Sequence, residues 1–174
     1  DQGNIAGAVA AFKKAIAIDS NDDIIVCGLF TQDDVEEAAA AHEKTIAINP
    51  GNTLAHTLVG LLRSEQGDAD GAIAAMKRAI NLDPSHNALV HRYLGDLLLD
   101  QGDFASAIAS FKSAIAIDPD DAVAHSSLGG ALDIQGDTTA AIVAYEKAIA
   151  IDPDDATTHQ RLGVALDKQG DTAA

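Results

Sequence analysis

Aromatic side chains are nearly absent from this sequence. Its 174 residues include no Trp, two Tyr and four Phe, although 47% are hydrophobic and 35 are Ala. A β-sandwich core depends on aromatic and β-branched strands, so this composition argues against that fold. It favours helices that pack closely on small side chains.

Basic residues are also scarce. The chain has 11 Lys and Arg against 27 Asp and Glu, which gives a net charge of −16. Because phosphate backbones are bound through Lys and Arg, we predict no nucleic-acid ligand. Anionic membrane surfaces are disfavoured for the same reason. No apolar run approaches the roughly 18 residues of a membrane-spanning helix, and no signal peptide is visible, so the compartment stays open.

Only one cysteine is present, and the signatures of catalysis are missing. Cys27 alone cannot form an internal disulfide or a cysteine-based zinc site. The sequence has no glycine-rich phosphate loop, no His-Glu-x-x-His pair and no nucleophile elbow. We therefore predict a protein that is not an enzyme, with no catalytic residues, no bound metal and no cofactor.

Aspartate dominates the acidic residues, with 22 Asp against 5 Glu. Asp is unfavourable inside helices and favourable at their N-caps. So many Asp residues in an Ala-rich chain predict many helix ends, and hence many short helices.

Three markers recur along the chain with one period of about 34 residues. The first is a Gln followed by a turn pair, at Gln2, Gln32, Gln66, Gln101, Gln135 and Gln169. The second is Ser20, Pro50, Pro84, Pro119 and Pro153. The third is His56, His91, His125 and His159. Three markers in step predict an internal structural repeat.

Residues 122–155 show the structure that one repeat predicts. Over 122–135, apolar residues recur at helical spacing: Val123, Leu128, Ala131 and Leu132. Gly136 is suited to end this helix and Asp137 to cap the next one. The second helix carries the apolar face Ala141, Ile142, Tyr145, Ala148, Ile149 and Ile151, and Pro153 ends it. One such hairpin cannot bury both of its faces, so stacking on neighbours is required.

These residues resemble the tetratricopeptide repeat signature. The repeat at 122–155 has His125-x2-Leu128-Gly129-x2-Leu132, followed by Ala141-x3-Tyr145, Ala148 and Pro153. The two preceding repeats show the same order, with His in place of the usual Trp. The resemblance implies an all-α, right-handed superhelical solenoid of stacked hairpins. We predict its segments as 1–22, 23–52, 53–87, 88–121, 122–155 and 156–174, the first and last being single helices.

Two regions depart from the pattern. Residues 22–31 lack the Leu-Gly pair and have a strand-like composition, so we expect a shortened or irregular helix there. At the other end, Gln169-Gly170-Asp171 repeats the turn sequence that follows the first helix of each hairpin. We therefore expect the last helix to end at that turn.

The resemblance also implies that the first helices of the hairpins line a concave groove that binds peptides. The groove residues expected on this basis are Thr57, Leu61, Ser64, Arg92, Asp96, Leu99, Ser126, Gly130, Asp133, Gln160, Val164 and Asp167. This set contains no Lys/Asn constellation, so a carboxylate clamp is not predicted. The small and acidic lining suits a neutral or basic protein segment. A solvated groove without a dedicated ligand is the competing interpretation.

Two recurrent patterns could suggest metals. The four repeated His residues are expected about 10 Å apart, too far to share one zinc ion, and we predict that they fill the Trp position. The Asp-Pro-Asp-Asp-Ala runs at 118–122 and 152–156 lack the glycine turn of calcium loops. We interpret them as a helix stop followed by an N-cap.

Three functions remain in view. The first is a non-enzymatic scaffold that presents its groove to a protein or peptide partner. The second is a structural subunit whose half-hairpin ends stack head to tail on further copies, forming a filament or continuous solenoid. The third is the repeat region of a larger enzyme, such as a glycosyltransferase.

Overall fold

The computed structural model describes residues 32–84 and 87–172. Eight α-helices and their connecting turns make up these two ranges, which contain no strand. The predicted all-α class is therefore confirmed. The helix predicted over 1–22 and the irregular helix predicted over 22–31 lie outside the described residues. The chain divides into two compact units, Asp1–Pro84 and Ser85–Ala174.

The described part of the first unit has three helices: α1 (Gln32–Ile48), α2 (Thr53–Glu65) and α3 (Ala69–Leu82). Helix α2 packs against both α1 and α3. Each helix therefore packs against its neighbours in the chain, as in a helical repeat solenoid.

The second unit has five helices: α4 (Ala88–Asp100), α5 (Phe104–Ile117), α6 (Ala122–Gln135), α7 (Thr138–Ile151) and α8 (Ala156–Thr172). Each helix packs against the next one in the chain. Helix α6 also contacts α4 and α8, so the first helices of successive hairpins lie side by side.

Acidic and amide side chains begin the helices, as the abundance of Asp predicts. In each hairpin turn an Asp oxygen accepts a hydrogen bond from a backbone N–H of the helix that follows. Asp68 accepts from Gly71 at 2.9 Å, and Asp137 accepts from Ala140 at 3.1 Å. Asn52, Asn87, Asp103 and Asp121 make the same kind of cap. These bonds satisfy backbone donors that have no partner within the helix.

Glycine turns join the two helices of each complete hairpin. Gly67, Gly102 and Gly136 have φ of 78°, 80° and 96°, a left-handed conformation that residues with a Cβ rarely adopt. The N–H after each glycine then bonds back to the preceding helix, as Asp137 N does to Leu132 O at 2.9 Å. This is the helix-ending bond of the Schellman motif, and it confirms the prediction for Gly136.

A second set of glycines lets the two helices of a hairpin approach closely. A Cβ on Gly95 would lie 2.5 Å from Cε1 of Phe111, and one on Gly129 would lie 2.6 Å from Cε1 of Tyr145. In the first unit Gly60 stands against the side chain of Met76 in the same way. The opposing residue fills the space above the glycine and is almost fully buried in each hairpin.

Buried alanines continue this packing along the second helices. Ala72, Ala107 and Ala141 are each 0% exposed, and Ala79, Ala114 and Ala148 follow one helical heptad later at 2% or less. A methyl group is the largest side chain that so close a contact admits. The predicted faces are therefore formed by small residues, as the composition indicates.

Two expectations about the fold are wrong. Val123 was expected on the apolar face of 122–135, but it is 53% exposed, and Ala124 occupies the buried position at 0%. The turn expected at Gln169-Gly170-Asp171 does not form, because α8 continues to Thr172. In the complete hairpins the second helix packs on a glycine of the first, whereas Gly163 has no described atom within 4 Å of its Cβ position.

The glycine contacts give a matched pair of substitutions in the second unit. We expect Gly95→Ala to lower the free energy of unfolding by about 1–3 kcal/mol, because the new methyl group overlaps the Phe111 ring. Gly163→Ala on α8 meets open space and is expected to raise it by up to about 1 kcal/mol through helix propensity. Urea denaturation followed by circular dichroism measures both, and equal effects of the two variants would contradict the packing argument.

Candidate functional site

The predicted groove residues recur at equivalent positions of successive first helices. In the second unit they form three columns, each stepping by 34 residues from α4 to α6 to α8. We call these nine residues the groove face: Arg92, Ser126 and Gln160; Asp96, Gly130 and Val164; Leu99, Asp133 and Asp167. Because α6 contacts both α4 and α8, the columns cross adjacent helices.

The exposure of the groove face increases toward α8. Gln160, Val164 and Asp167 are exposed, whereas the residues on α4 and Gly130 and Asp133 on α6 are partly buried. Ser126 is only 6% exposed. The part of the groove face that a ligand can reach is therefore mainly that on α8, together with the polar tips of the side chains on α4 and α6.

The three groove residues predicted in the first unit lie on α2. Thr57 and Leu61 are 3% and 6% exposed, and the hydroxyl of Thr57 donates to the backbone oxygen of Thr53 at 3.1 Å. Ser64 is exposed. Of these three side chains, only Ser64 is accessible to a ligand.

An ion pair joins α4 to the start of α6. Arg92 Nε lies 3.2 Å from Asp121 Oδ2, and both side chains are about five-sixths buried, at 16% and 15% exposure. The guanidinium of Arg92 also lies 5.3 Å from the ring centroid of Tyr93. Asp121 is also the N-cap of α6, so the same carboxylate begins α6 and ties it to α4.

A hydrogen-bonded chain joins α6 to α8. Arg161 Nη1 donates to Ser126 Oγ at 3.4 Å, and Ser126 lies 2.6 Å from the hydroxyl of Thr158. Thr158, which is fully buried, donates its proton to Asp155, so Ser126 must donate to Thr158. The hydrogen bond from Thr158 lowers the pKa of the Asp155 carboxyl.

An ion pair joins the same two helices, α6 and α8, near their C-terminal ends. Lys168 Nζ lies 2.6 Å from Asp133 Oδ2, and Asp133 also accepts a hydrogen bond from Thr138 at 3.3 Å. Lys168 is half exposed, so this pair is screened by solvent. Asp133 is therefore partly neutralised, whereas Asp167 on α8 remains exposed.

Asp96 is the most perturbed acid of the groove face. Burial raises the pKa of its carboxyl to about 6, and the negative charges of Asp100 and Asp121 act in the same direction. Arg92 and a hydrogen bond from Ser127 lower the pKa but do not overcome burial. Asp96 therefore exchanges a proton in a pH range where ordinary aspartates are fully ionised.

The repeated histidines make a structural contact. The Nε2 atoms of His56, His125 and His159 lie 2.9–3.1 Å from the backbone oxygens of Pro50, Pro119 and Pro153. A carbonyl oxygen can only accept, so each imidazole donates from Nε2. Each ring thus ties a first helix to the proline turn before it. Among the described residues, no group of three potential ligands could hold a metal ion.

Sequence reasoning missed five residues that connect the groove face: Asp121, Ser127, Thr158, Arg161 and Lys168. A signal was present, because Arg161 follows Ser127 by 34 residues and therefore stands in a neighbouring column. The period alone could not tell that Arg161 bonds to Ser126 on the adjacent helix, since that choice depends on rotamers.

Within the described ranges, no helix is both long and apolar enough to cross a membrane.

Comparison with known proteins agrees with this architecture. Residues 26–87 and 92–156 match one profile described as a tetratricopeptide repeat, and residues 144–174 match another. No curated protein matches the sequence at a significant level.

Three solved structures are similar to this chain. A crystal structure of MamA is 29% identical, covers 80% of this chain and 81% of its own, and has a TM-score of 0.76. The first TPR of Spaghetti (RPAP3) bound to the HSP90 peptide SRMEEVD is 20% identical over 68% of this chain and 93% of its own, with a TM-score of 0.66. YrrB, a TPR protein with an unusual peptide-binding site, is 18% identical over 79% and 71%, with a TM-score of 0.72.

The raised pKa of Asp96 predicts a pH-dependent stability. Between about pH 4 and pH 6 the folded protein holds a proton on Asp96 that the unfolded chain has lost. The free energy of unfolding contributed by this group therefore falls as the pH rises through that window. We expect Asp96→Asn to stabilise the protein at pH 7.5 more than at pH 4, as measured by urea denaturation.

The exposed Asp167 provides the control for this experiment. Asp167→Asn also removes one groove-face carboxylate, but it is expected to change stability by similar small amounts at both pH values. Carbon-13 NMR titration of the Asp96 carboxyl reports the same group directly. A midpoint near pH 4 would contradict the assignment.

Proposed function

The chain belongs to the tetratricopeptide repeat family, and from that premise we propose that it is a non-enzymatic scaffold that binds an extended protein segment along the groove face. Repeats of this family are typically protein-interaction modules rather than catalytic domains. The observation that carries the proposal is the series of three columns on α4, α6 and α8, which ends in the exposed Gln160, Val164 and Asp167.

Two similar structures support a peptide ligand as a class. One is a TPR bound to an HSP90 peptide, and the other is a TPR protein with an unusual peptide-binding site. Both are at most 20% identical to this chain, so they support the use of the fold and not a particular ligand.

The charge of the groove face favours a basic or neutral segment. Asp96, Asp133 and Asp167 lie in its columns, and Arg92 is its one basic member. Arg92 is already paired with Asp121, so its charge is not available to a ligand carboxylate. The net charge of −16 adds a long-range attraction for cationic partners.

A carboxylate clamp is not part of this proposal. Such a clamp needs free cationic and amide donors, and the groove face has no Lys and no Asn. Lys168 stands beside it but is bound to Asp133. A peptide would be held here through its backbone, its basic side chains and apolar contacts with Leu99 and Val164.

Fluorescence anisotropy with labelled nonapeptides tests the groove. One probe alternates Lys and Leu, and the other replaces every Lys with Glu. We expect saturable binding of the Lys probe, weaker by about 5-fold in Asp167→Lys, because the variant places a like charge beside the ligand. The Glu probe is expected not to bind.

A charge change elsewhere on the molecule separates local from overall electrostatics. Glu146→Lys makes the same change of two charges on the exposed surface of the second helix α7. It is expected to alter binding by less than about 2-fold at 0.15 M salt, where exposed charges are screened beyond about 8 Å. Equal losses in both variants would mean that the Lys probe responds only to net charge.

The exposed face of α8 favours a second candidate function, a structural subunit that stacks on further copies. Leu166 is 46% exposed, whereas Leu98 and Leu132 at the equivalent positions are 4% and 8% exposed. In the complete hairpins the second helix packs against this face. We propose that a helix of another copy covers it when copies associate head to tail.

Light scattering and negative-stain microscopy over a range of concentrations test this stacking. We expect growth with concentration and with added salt, since like-charged copies repel and the contact is apolar. Leu166→Glu is expected to abolish growth, whereas Val143→Glu, on an exposed position of α7, is expected to leave it unchanged. A chain that stays monomeric at every concentration and salt would exclude this function.

A further inference from the structure

One hairpin carries an arginine where the others carry a buried leucine. Arg63 on α2 stands seven residues after His56, and Leu98 and Leu132 stand seven residues after His91 and His125. Those leucines are 4% and 8% exposed and help fill the space between helices. The other hairpins thus show what this position holds when it serves packing alone.

The side chain of Arg63 is held by an acid from the preceding helix. Its Nη2 lies 2.8 Å from Glu43 Oε1 on α1, and its Nη1 lies 3.9 Å from Asp68 Oδ2. Glu43 stands seven residues before Pro50, where the next two repeats have Lys77 and Lys112 before their prolines. The repeat at 122–155 has Glu146 at this position, so Arg63 is the member of the ion pair that sets this hairpin apart.

A cleft of about 390 Å³ lies beside this ion pair, within the first unit. Helices α1, α2 and α3 all contribute to its walls. Its apolar part is formed by Ile46, Val59, Ala74 and Ala75, and its polar part by Glu43, His56, Arg63 and Arg78. A volume of this size lies within the range of small-molecule and peptide-residue sites.

Arg78 supplies a second guanidinium at the edge of the cleft. Ser113 and Lys147 occupy its position in the following repeats. No carboxylate of the described residues lies within ion-pair distance of Arg78, in a chain that carries 27 acids. A guanidinium is also the group best suited to hold a carboxylate through two parallel hydrogen bonds.

We propose that this cleft is a second binding site, separate from the groove face, for a carboxylate carried next to a branched aliphatic group. Arg78 holds the carboxylate, and the ion pair of Arg63 with Glu43 forms the polar wall beside it. The aliphatic group packs on Ile46, Val59 and the two alanines. The C-terminal residue of a peptide and a free short-chain acid share this chemistry.

NMR titration of the nitrogen-15-labelled chain at low salt tests the site with defined probes. N-acetyl-leucine is expected to shift the amide signals of the cleft and the Nε–Hε signals of Arg63 and Arg78. For a ligand of this size we expect a dissociation constant in the millimolar range. N-acetyl-leucinamide lacks the charge and acetate lacks the aliphatic group, so both are expected to bind at least about 10-fold more weakly.

Two variants locate the binding. Arg78→Gln keeps the cleft and removes the charge, and Arg63→Leu restores the residue of the other hairpins and leaves the Glu43 carboxylate without its arginine beside the ligand. Both are expected to weaken N-acetyl-leucine binding by at least about 10-fold while retaining the helical circular dichroism of the parent chain. Lys147→Gln, at the position equivalent to Arg78 in the second unit, is the matched control and is expected to bind as the parent does.

The same titration distinguishes the two sources of the carboxylate. Tighter binding of the peptide Ac-Ala-Ala-Ala-Leu than of 4-methylpentanoate supports a peptide C-terminus, and the reverse order supports a free acid. The proposal is overturned if N-acetyl-leucine causes no shifts at 20-fold above the expected constant, if acetate binds equally well, or if Arg78→Gln binds as the parent does. Asp167→Lys, which tests the groove face, is expected to leave this titration unchanged.

Discussion

The contact between a glycine on one helix and a bulky side chain on the next is the constraint on which each hairpin depends. Where Phe111 or Tyr145 lies directly on the backbone of the opposing helix, the two helices approach more closely than ordinary side chains permit. That approach requires alanine at the surrounding positions and a tight left-handed turn between the helices. The first helices of successive hairpins in the second unit also contact one another, so the columns of the groove face cross neighbouring helices.

Periodicity made the fold predictable, because the turn, the proline and the histidine recur in step and each has a local physical role. The burial of individual side chains was less predictable. Val123 has the right chemistry for the core but the wrong helical phase by one residue, and Ala124 takes its place. The turn expected near Gly170 is also absent, since α8 continues through these residues to Thr172.

The sequence could predict which residues belong to the candidate site, but not how buried they are or how their pKa values are shifted. The 34-residue step identified which residues share a column, whereas the burial of Ser126 and the raised pKa of Asp96 follow from neighbours on other helices. Thr57 and Leu61 show the same limit. They occupy positions that are exposed on α8, but both are buried in α2, because the position in the repeat does not determine exposure. The departures from the repeat were more informative than the repeat itself, since Arg63 replaces a residue whose packing role the other hairpins define.

The bonds between successive first helices have a consequence for how the chain folds. Within residues 32–84 and 87–172, the most distant in sequence join residues only 35 positions apart, in Arg161 to Ser126 and Lys168 to Asp133. Contacts this local close small loops, so contact order stays low and folding is expected to be rapid for a chain of this length. Folding can then begin in any hairpin and spread to its neighbours, and unfolding proceeds from the least covered helix inward.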